Sequence, residues 1–334
     1  MRERPLRPEL FGAAQAMLAD FLAYRPSERL VITSDTAGDQ AVVQAIAAAA
    51  IAAGARPTMI TLPQLPYQGK LADPYLPEAL AGAVAACDVW VDLTFPYIAG
   101  SELHDRALKP GRIRYMLASD LTAEAMLRLF GGGVIESFFS RQAALDAAFA
   151  RAVGRPVRIT SPLGTDVSFT LGKPHAARPR RAETPGMYTI PGSCTMYPEM
   201  ESVRGRIMVE TAFHEYYTRL EAPIAIEVEG RIRALSGGGS DRAVLDRALV
   251  RAGGGQYGYV IHFTHGLHPA ARFTGDCFVE DMRVIGCDAV GIGLPWWVPG
   301  GGENHPDAVM SMQSIWLDGV PVVENGRLLD AVAA

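Results

Sequence analysis

Over roughly the first 120 residues, short apolar runs alternate with helical patterns, and this alternation restricts the fold more than any other feature of the chain. Leu30-Val31-Ile32-Thr33 stops at Ser34-Asp35-Thr36. A long helical stretch then runs to Ala53 and closes at Gly54, the residue type that accepts a left-handed cap. Pro57 to Leu62, Asp88 to Leu93 and Arg114 to Leu117 read as further buried strands, with a helix around Pro77 to Ala86 before the second of them. Strand, helix and strand at this spacing predict a parallel sheet covered by helices. The loop after the first strand, SDTAGDQ, is not a GxGxxG fingerprint, so no nucleotide cofactor is expected.

The texture changes near residue 155. Val157 to Thr160 and Asp166 to Leu171 flank Pro162-Leu163-Gly164, a turn signal between two alternating runs. Residues 173–186, KPHAARPRRAETPG, read as a loop. Strand patterns follow at Arg206 to Glu210, Ile224 to Val228 and Tyr257 to Phe263, with one helix starting near Ser240-Asp241. The end of the chain reads as a strand meander turning at Asp318-Gly319 and Asn325-Gly326. The expected class is α/β: an N-terminal parallel-sheet α/β (Rossmann-like) domain over 1–150, then an α+β metal-binding domain rich in antiparallel strands over 151–334.

Composition excludes several functions. The net charge is −5 and there is no Lys/Arg cluster, so a nucleic-acid partner, which needs a positive face, is not expected. No segment offers about 20 apolar residues and MRERPLRPEL lacks an apolar signal core, so no membrane partner is expected either. The four cysteines form no CxxC pair, which argues against a zinc knuckle and suits a reducing, cytoplasmic location.

The candidate chemistry lies with the seven histidines. Proline disfavours the helical region for the residue before it, so His305 in His305-Pro306-Asp307 is expected to be extended. Residues i and i+2 of an extended chain share a face, which aims an imidazole and a carboxylate together, a pair suited to one divalent metal or to a carboxylate-oriented histidine. His262 sits in an apolar strand pattern, where an imidazole needs a hydrogen-bond partner or a metal. With His305 and Asp307 it would complete a two-His-one-carboxylate set, the ligand type of non-haem Fe(II) oxygenases and of catalytic zinc sites. Gly266 and Pro269 argue against a helix that would stack His265 and His268 on His262, so at most one of these two is expected to be functional. His175 and His214 lie in polar surroundings and read as solvated. His104 follows the third strand, at the strand end where α/β sheets place their sites, and is either a general base or an ordinary helix residue.

Several segments carry a family resemblance. Ile261 to Arg272, then Glu280-Asp281-Met282-Arg283-Val284-Ile285-Gly286, GIG at 291–293, His305-Pro306-Asp307 and LDGVPVVENGRL resemble the C-terminal half of the M29 (aminopeptidase T-like) metallopeptidases. They resemble more closely the oxygenase relatives of those enzymes, the 2,5-dihydroxypyridine 5,6-dioxygenases. LVITSDTAGDQ onward and the Ile190-Pro191-Gly192-Ser193 segment extend the likeness over most of the chain. The peptidases carry Glu at the position of His262, a Glu where this chain reads Ser193-Cys194-Thr195, and a His where it reads Cys287-Asp288-Ala289.

The resemblance therefore implies a mononuclear Fe(II) site on His262, His305 and Asp307, with His104, beside Leu103, as the base. It implies a ring-cleaving dioxygenase whose partners are a small hydroxylated aromatic and dioxygen, and it makes a homo-oligomer the expected assembly. Leu103, Tyr188, Ser193, Trp296 and Trp297 are the candidate substrate-binding residues, three of them as aromatic surface for a flat ring. The rival readings are a metal-dependent aminopeptidase or other hydrolase on the same triad, and a non-catalytic binder of a small aromatic acid.

Overall fold

Five parallel strands organise the first part of the computed structural model, which describes residues 7–175, 181–213, 216–295, 297–298 and 305–329. They are β1 (Leu30–Asp35), β2 (Thr58–Leu62), β3 (Val89–Asp92), β4 (Arg114–Leu117) and β7 (Gly186–Thr189), in the order β2-β1-β3-β4-β7. The helices of this part are α1 (Pro8–Ala16), α2 (Gln40–Ala52), α3 (Glu78–Ala85), α4 (Glu102–Leu108) and α5 (Ala123–Phe130). β1 and β3 are buried along their whole length, which is why their sequences are nearly continuous apolar runs rather than alternating ones. α2 starts where the Asp39 carboxylate accepts the Ala41 N–H, and beyond its end Gly54 takes a φ of 93°. β7 is a departure from expectation: it completes this sheet from a stretch whose Pro/Arg content predicts only a loop up to 186.

The chain forms two compact units, Met1–Ser137 with Arg178–Pro191, and Phe138–Ala177 with Gly192–Ala334. A single cut near 150 misses this pattern, because residue 150 lies inside helix α6 (Ile135–Arg151) and because β7 returns to the first unit.

The second unit holds a 12-stranded sheet whose pairings are all antiparallel. Its strands are β5 (Pro156–Thr160), β6 (Asp166–Thr170), β8 (Ser193–Met196), β9 (Arg204–Phe213), β10 (Tyr217–Glu229), β11 (Arg231–Gly237), β12 (Tyr259–Gly266), β13 (Cys287–Gly293), β14 (Asp307–Ser311), β15 (Ser314–Leu317), β16 (Val320–Glu324) and β17 (Arg327–Leu328). Most of α6 accompanies them, with α7 (Asp241–Ala252) and the short α8 (Phe278–Asp281). The run β9-β14-β13-β12-β8 forms one end of this sheet's main path.

One face of that run supplies the core of the second unit: Val260 and Phe263 from β12, Val290 and Ile292 from β13, Ala308 and Met310 from β14, with Leu245 and Leu249 of α7. Phe263 stacks on Phe169 at 5.0 Å with the rings 5° from parallel. Each fully buried Val, Leu, Ile, Phe or Met among them contributes roughly 1.5–3 kcal/mol, so this face fixes the strand register. The C-terminal meander turns where the sequence indicates. Asp318 and Gly319 have φ of 51° and 79°, and Asn325 and Gly326 have 46° and 80°, the doubly left-handed pattern of a two-residue hairpin turn.

Candidate metal centre

The opposite face of β12, β13 and β14 carries a different set of residues. His262 pairs with Gly291, and Gly291 pairs with Asp307, so the three form one row across adjacent strands. His262 reaches this face through an irregularity. The register is Val260 with Ile292 and then His262 with Gly291, which leaves Ile261 as an extra residue on β12. In an uninterrupted strand Val260 and His262 would share a face. The bulge lets Val260 and Phe263 both enter the core while His262 points away from it.

Across the row, Nε2 of His262 lies 3.5 Å from Oδ1 of Asp307. His305 precedes β14 by one proline, and its Nε2 lies 3.7 Å from Oδ2 of Asp307. The expectation that residues 305 and 307 aim together is met. The chosen donor atoms of His262, His305 and Asp307 all lie within 4.8 Å of one another, and among the described residues this is the one group of three or more His, Cys, Asp or Glu so arranged. Bonds of about 2.1 Å to a shared ion place neighbouring donors about 3–3.5 Å apart, so small side-chain adjustments bring all three onto one metal.

The surroundings favour neutral, ligating imidazoles. His262 is 7% exposed and Asp307 4%. Burial pushes the His305 imidazole down to about 4, which keeps its nitrogen free of a competing proton at neutral pH. Nδ1 of His262 is 3.2 Å from Oγ1 of Thr264, and that hydroxyl is 2.9 Å from Oγ1 of Thr195 on β8. If Nδ1–H donates to Thr264, Nε2 presents its lone pair toward Asp307, the usual support for a metal-binding histidine. Thr195 falls in the segment where the resemblance places a peptidase glutamate, and here it supplies a neutral hydroxyl instead. The donor set and its support fit one divalent cation.

An aromatic group adjoins the centre. The Tyr197 ring is edge-on to His262, with centroids 6.3 Å apart. Trp297 lies 6.0 Å from Tyr197 at 73°, and His175 stacks on Trp297 at 3.6 Å and 9°. Trp297 was expected from the sequence and Tyr197 was not. His175 is exposed, as expected, yet one face is covered by the indole. Trp296 and His214 lie outside the described residues. Ser193 is 5% exposed at the start of β8, on the same face as Thr195 by strand alternation.

His265 and His268 are not part of the triad. His265 is fully buried on the core face, with Nδ1 2.7 Å from Oδ1 of Asp288. His268 packs on Phe138 at 4.8 Å, and its Nδ1 accepts the Ala270 N–H. The EDMR segment is scaffold. Asp281 accepts from the N–H groups of Thr274 and Gly275 and from the Tyr217 hydroxyl, and Glu280 accepts the Arg272 N–H, so two buried carboxylates anchor the loop that follows β12.

His104 belongs to the first unit, on α4 beyond the carboxyl end of β3. Its backbone N–H donates to the Ser101 hydroxyl that caps the helix. The ring is 6% exposed, edge-on to Tyr115 at 4.6 Å and 6.3 Å from Trp90. Nδ1 lies 3.2 Å from Oδ1 of Asp105, while the buried Nε2 has no hydrogen-bond partner among the described residues. Tyr115 in turn donates to Asp92, whose carboxyl is raised above the ordinary range by burial. Leu103 is buried beside His104. Tyr188 on β7 is also buried, edge-on to Phe21 with its hydroxyl donating to the Thr184 carbonyl, the surroundings of a core tyrosine.

The sequence profile of the 2,5-dihydroxypyridine 5,6-dioxygenase family matches residues 22–330. A structure of 2,5-dihydroxypyridine dioxygenase from Pseudomonas putida KT2440 is similar with a TM-score of 0.72 at 20% identity, covering 96% of each chain. Wild-type AmpT from Thermus thermophilus is similar with a TM-score of 0.66 at 15% identity, covering 96% of this chain and 99% of its own. At these identities the two structures establish the fold. Comparison with curated sequences returns no match.

Proposed function

The chain belongs to the 2,5-dihydroxypyridine 5,6-dioxygenase family, and on that premise we propose that it is a non-haem Fe(II)-dependent, extradiol-type dioxygenase that opens the ring of a hydroxylated pyridine such as 2,5-dihydroxypyridine. The observation that carries the reading is the set of two imidazoles and one carboxylate, His262 and Asp307 buried and His305 half-buried, with donor atoms within 4.8 Å. Bound there, ferrous iron would supply adjacent open positions and redox chemistry for the aromatic substrate and dioxygen.

The chain's own residues do the rest. His262 and His305 offer neutral nitrogens and Asp307 one negative charge, a ligand set that leaves part of the coordination sphere to substrate. Thr264 holds the His262 ring in place through a hydrogen bond at Nδ1. Tyr197 and the Trp297–His175 stack form an aromatic wall suited to a flat ring, and offset or edge-on contacts of this type contribute about 0.5–1.5 kcal/mol each. His104 takes the hydroxyl proton, and the Asp105 carboxylate, 3.2 Å from its Nδ1, stabilises the positive charge the imidazole then carries. Removing that proton makes the ring electron-rich and prepares it to give up electrons.

The test is oxygen uptake by protein purified anaerobically and reconstituted with Fe(II), assayed on dihydroxypyridines, phenols and aminoacyl amides. One dioxygen consumed per 2,5-dihydroxypyridine opened is the expected result. Hydrolysis of aminoacyl amides without oxygen uptake would replace this reading with the aminopeptidase one.

A further inference from the structure

The middle member of the His262–Gly291–Asp307 row has no side chain, and the space one would take is already filled. A Cβ on Gly291 would stand 2.3 Å from Nε2, 2.5 Å from Cδ2 and 2.9 Å from Cε1 of His262. The imidazole thus lies directly over the bare backbone of β13, on its way to the carboxylate on the far side. The demand on Gly291 is steric alone, because its φ is not among the left-handed values. Its neighbours Val290 and Ile292 face the core on the other side of the strand.

We infer that Gly291 is a positioning residue for the metal: the missing side chain is what allows His262 to serve as a ligand. The inference rests on the triad's being a metal centre. Any β-carbon at 291 must displace the imidazole. The atoms it meets are the far end of a side chain, so the ring can swing aside by rotation about its own bonds while the strand pairing persists. The Gly291→Ala protein is therefore folded, with Nε2 removed from the position it shares with Asp307 and His305.

The experiment compares the full-length wild type with Gly291→Ala, His262→Ala and the double variant. Co(II) binding is followed by calorimetry and by the visible ligand-field spectrum, and metal-free stability by urea unfolding. Gly291→Ala is expected to weaken Co(II) by at least about 10–100-fold, the size of effect that follows when a ligand loses its orientation, and to change the spectrum. Added to His262→Ala, the same substitution is expected to change neither residual Co(II) affinity nor stability, since its collision partner is gone. If Gly291→Ala alone fails to fold, the double variant is expected to recover, and failure to recover overturns the inference. Wild-type Co(II) affinity and spectrum in Gly291→Ala would overturn it, as would an equal loss in both backgrounds. A wild type that binds neither Co(II) nor Fe(II) would instead remove the metal reading on which the inference rests.

Discussion

Nε2 of His262 and Oδ1 of Asp307 stand 3.5 Å apart although a whole strand, β13, runs between the residues that carry them. Two strand spacings amount to about 10 Å, so both side chains must lean inward over the middle strand to meet. The centre is therefore a product of sheet register. Its precision comes from the apolar face on the reverse of the same strands, which holds β12, β13 and β14 in place.

Asp307→Asn keeps the shape of the ligand and removes its charge. Fe(II) affinity is expected to fall by more than about 100-fold, with His262→Ala and His305→Ala behaving alike, since each takes away a direct ligand rather than a supporting group. Metal content after dialysis against Fe(II) is the measurement. Full occupancy in any one of the three would exclude that residue from the set.

Thr264→Val removes the hydrogen-bond partner of His262 Nδ1 without altering side-chain volume greatly. Metal affinity is expected to drop by about 10–100-fold while the ligand set stays complete. Thr195→Val, one hydrogen bond further out, is expected to do less. Equal effects of the two would contradict the order of the chain from imidazole to Thr264 to Thr195.

His104→Ala is expected to bind Fe(II) like the wild type and to turn over about 10²–10⁴-fold more slowly, the usual contribution of a positioned base. Asp105→Asn is expected to lower kcat less and to shift its pH profile. An unchanged kcat for His104→Ala would take it out of the mechanism.

Trp297→Ala and His175→Ala each remove one ring from the aromatic wall. KM for the ring substrate is expected to rise by about 2–10-fold with kcat nearly unchanged, following the size of an aromatic contact. Steady-state kinetics decide this, and a loss confined to kcat would point to a different role.

Asp88 sets a pH response in the first unit. The Arg29 guanidinium and backbone N–H both donate to its carboxylate and hold it down to about 2, below the ordinary value of 3.8. A carboxylate depressed in the folded state stabilises fully above its unfolded value, and this contribution is lost as pH falls from about 4 to about 2. The urea midpoint of Asp88→Asn is expected to lie below wild type at pH 7 and to converge with it in that window.

How much of this was legible follows from what each feature depends on. The strands β1 to β4 and the hairpin β5–β6 follow from apolar runs and turn residues, which are local. The His305-Pro306-Asp307 geometry follows from one proline. β7 escaped because its membership of the parallel sheet is decided by pairing with β4, and Gly186-Met187-Tyr188-Thr189 carries no strong apolar pattern of its own. Tyr197 and Thr264 escaped because nothing in a tyrosine or threonine marks it as a neighbour of a histidine until the strands are laid side by side. Gly291 was visible only as part of a motif; its meaning requires knowing what lies above it.

The extra residue at Ile261 makes adjacent positions answer to opposite masters: Phe263 belongs to the oily interior and His262 to the row of polar donors it shares with Asp307. Shortening β12 by that one residue would exchange the two allegiances, driving an imidazole toward the interior and a phenyl ring toward the Asp307 carboxylate. Tolerance to insertion or deletion should accordingly be lowest here, in the middle of a regular-looking strand, rather than in the loops where length changes are ordinarily absorbed.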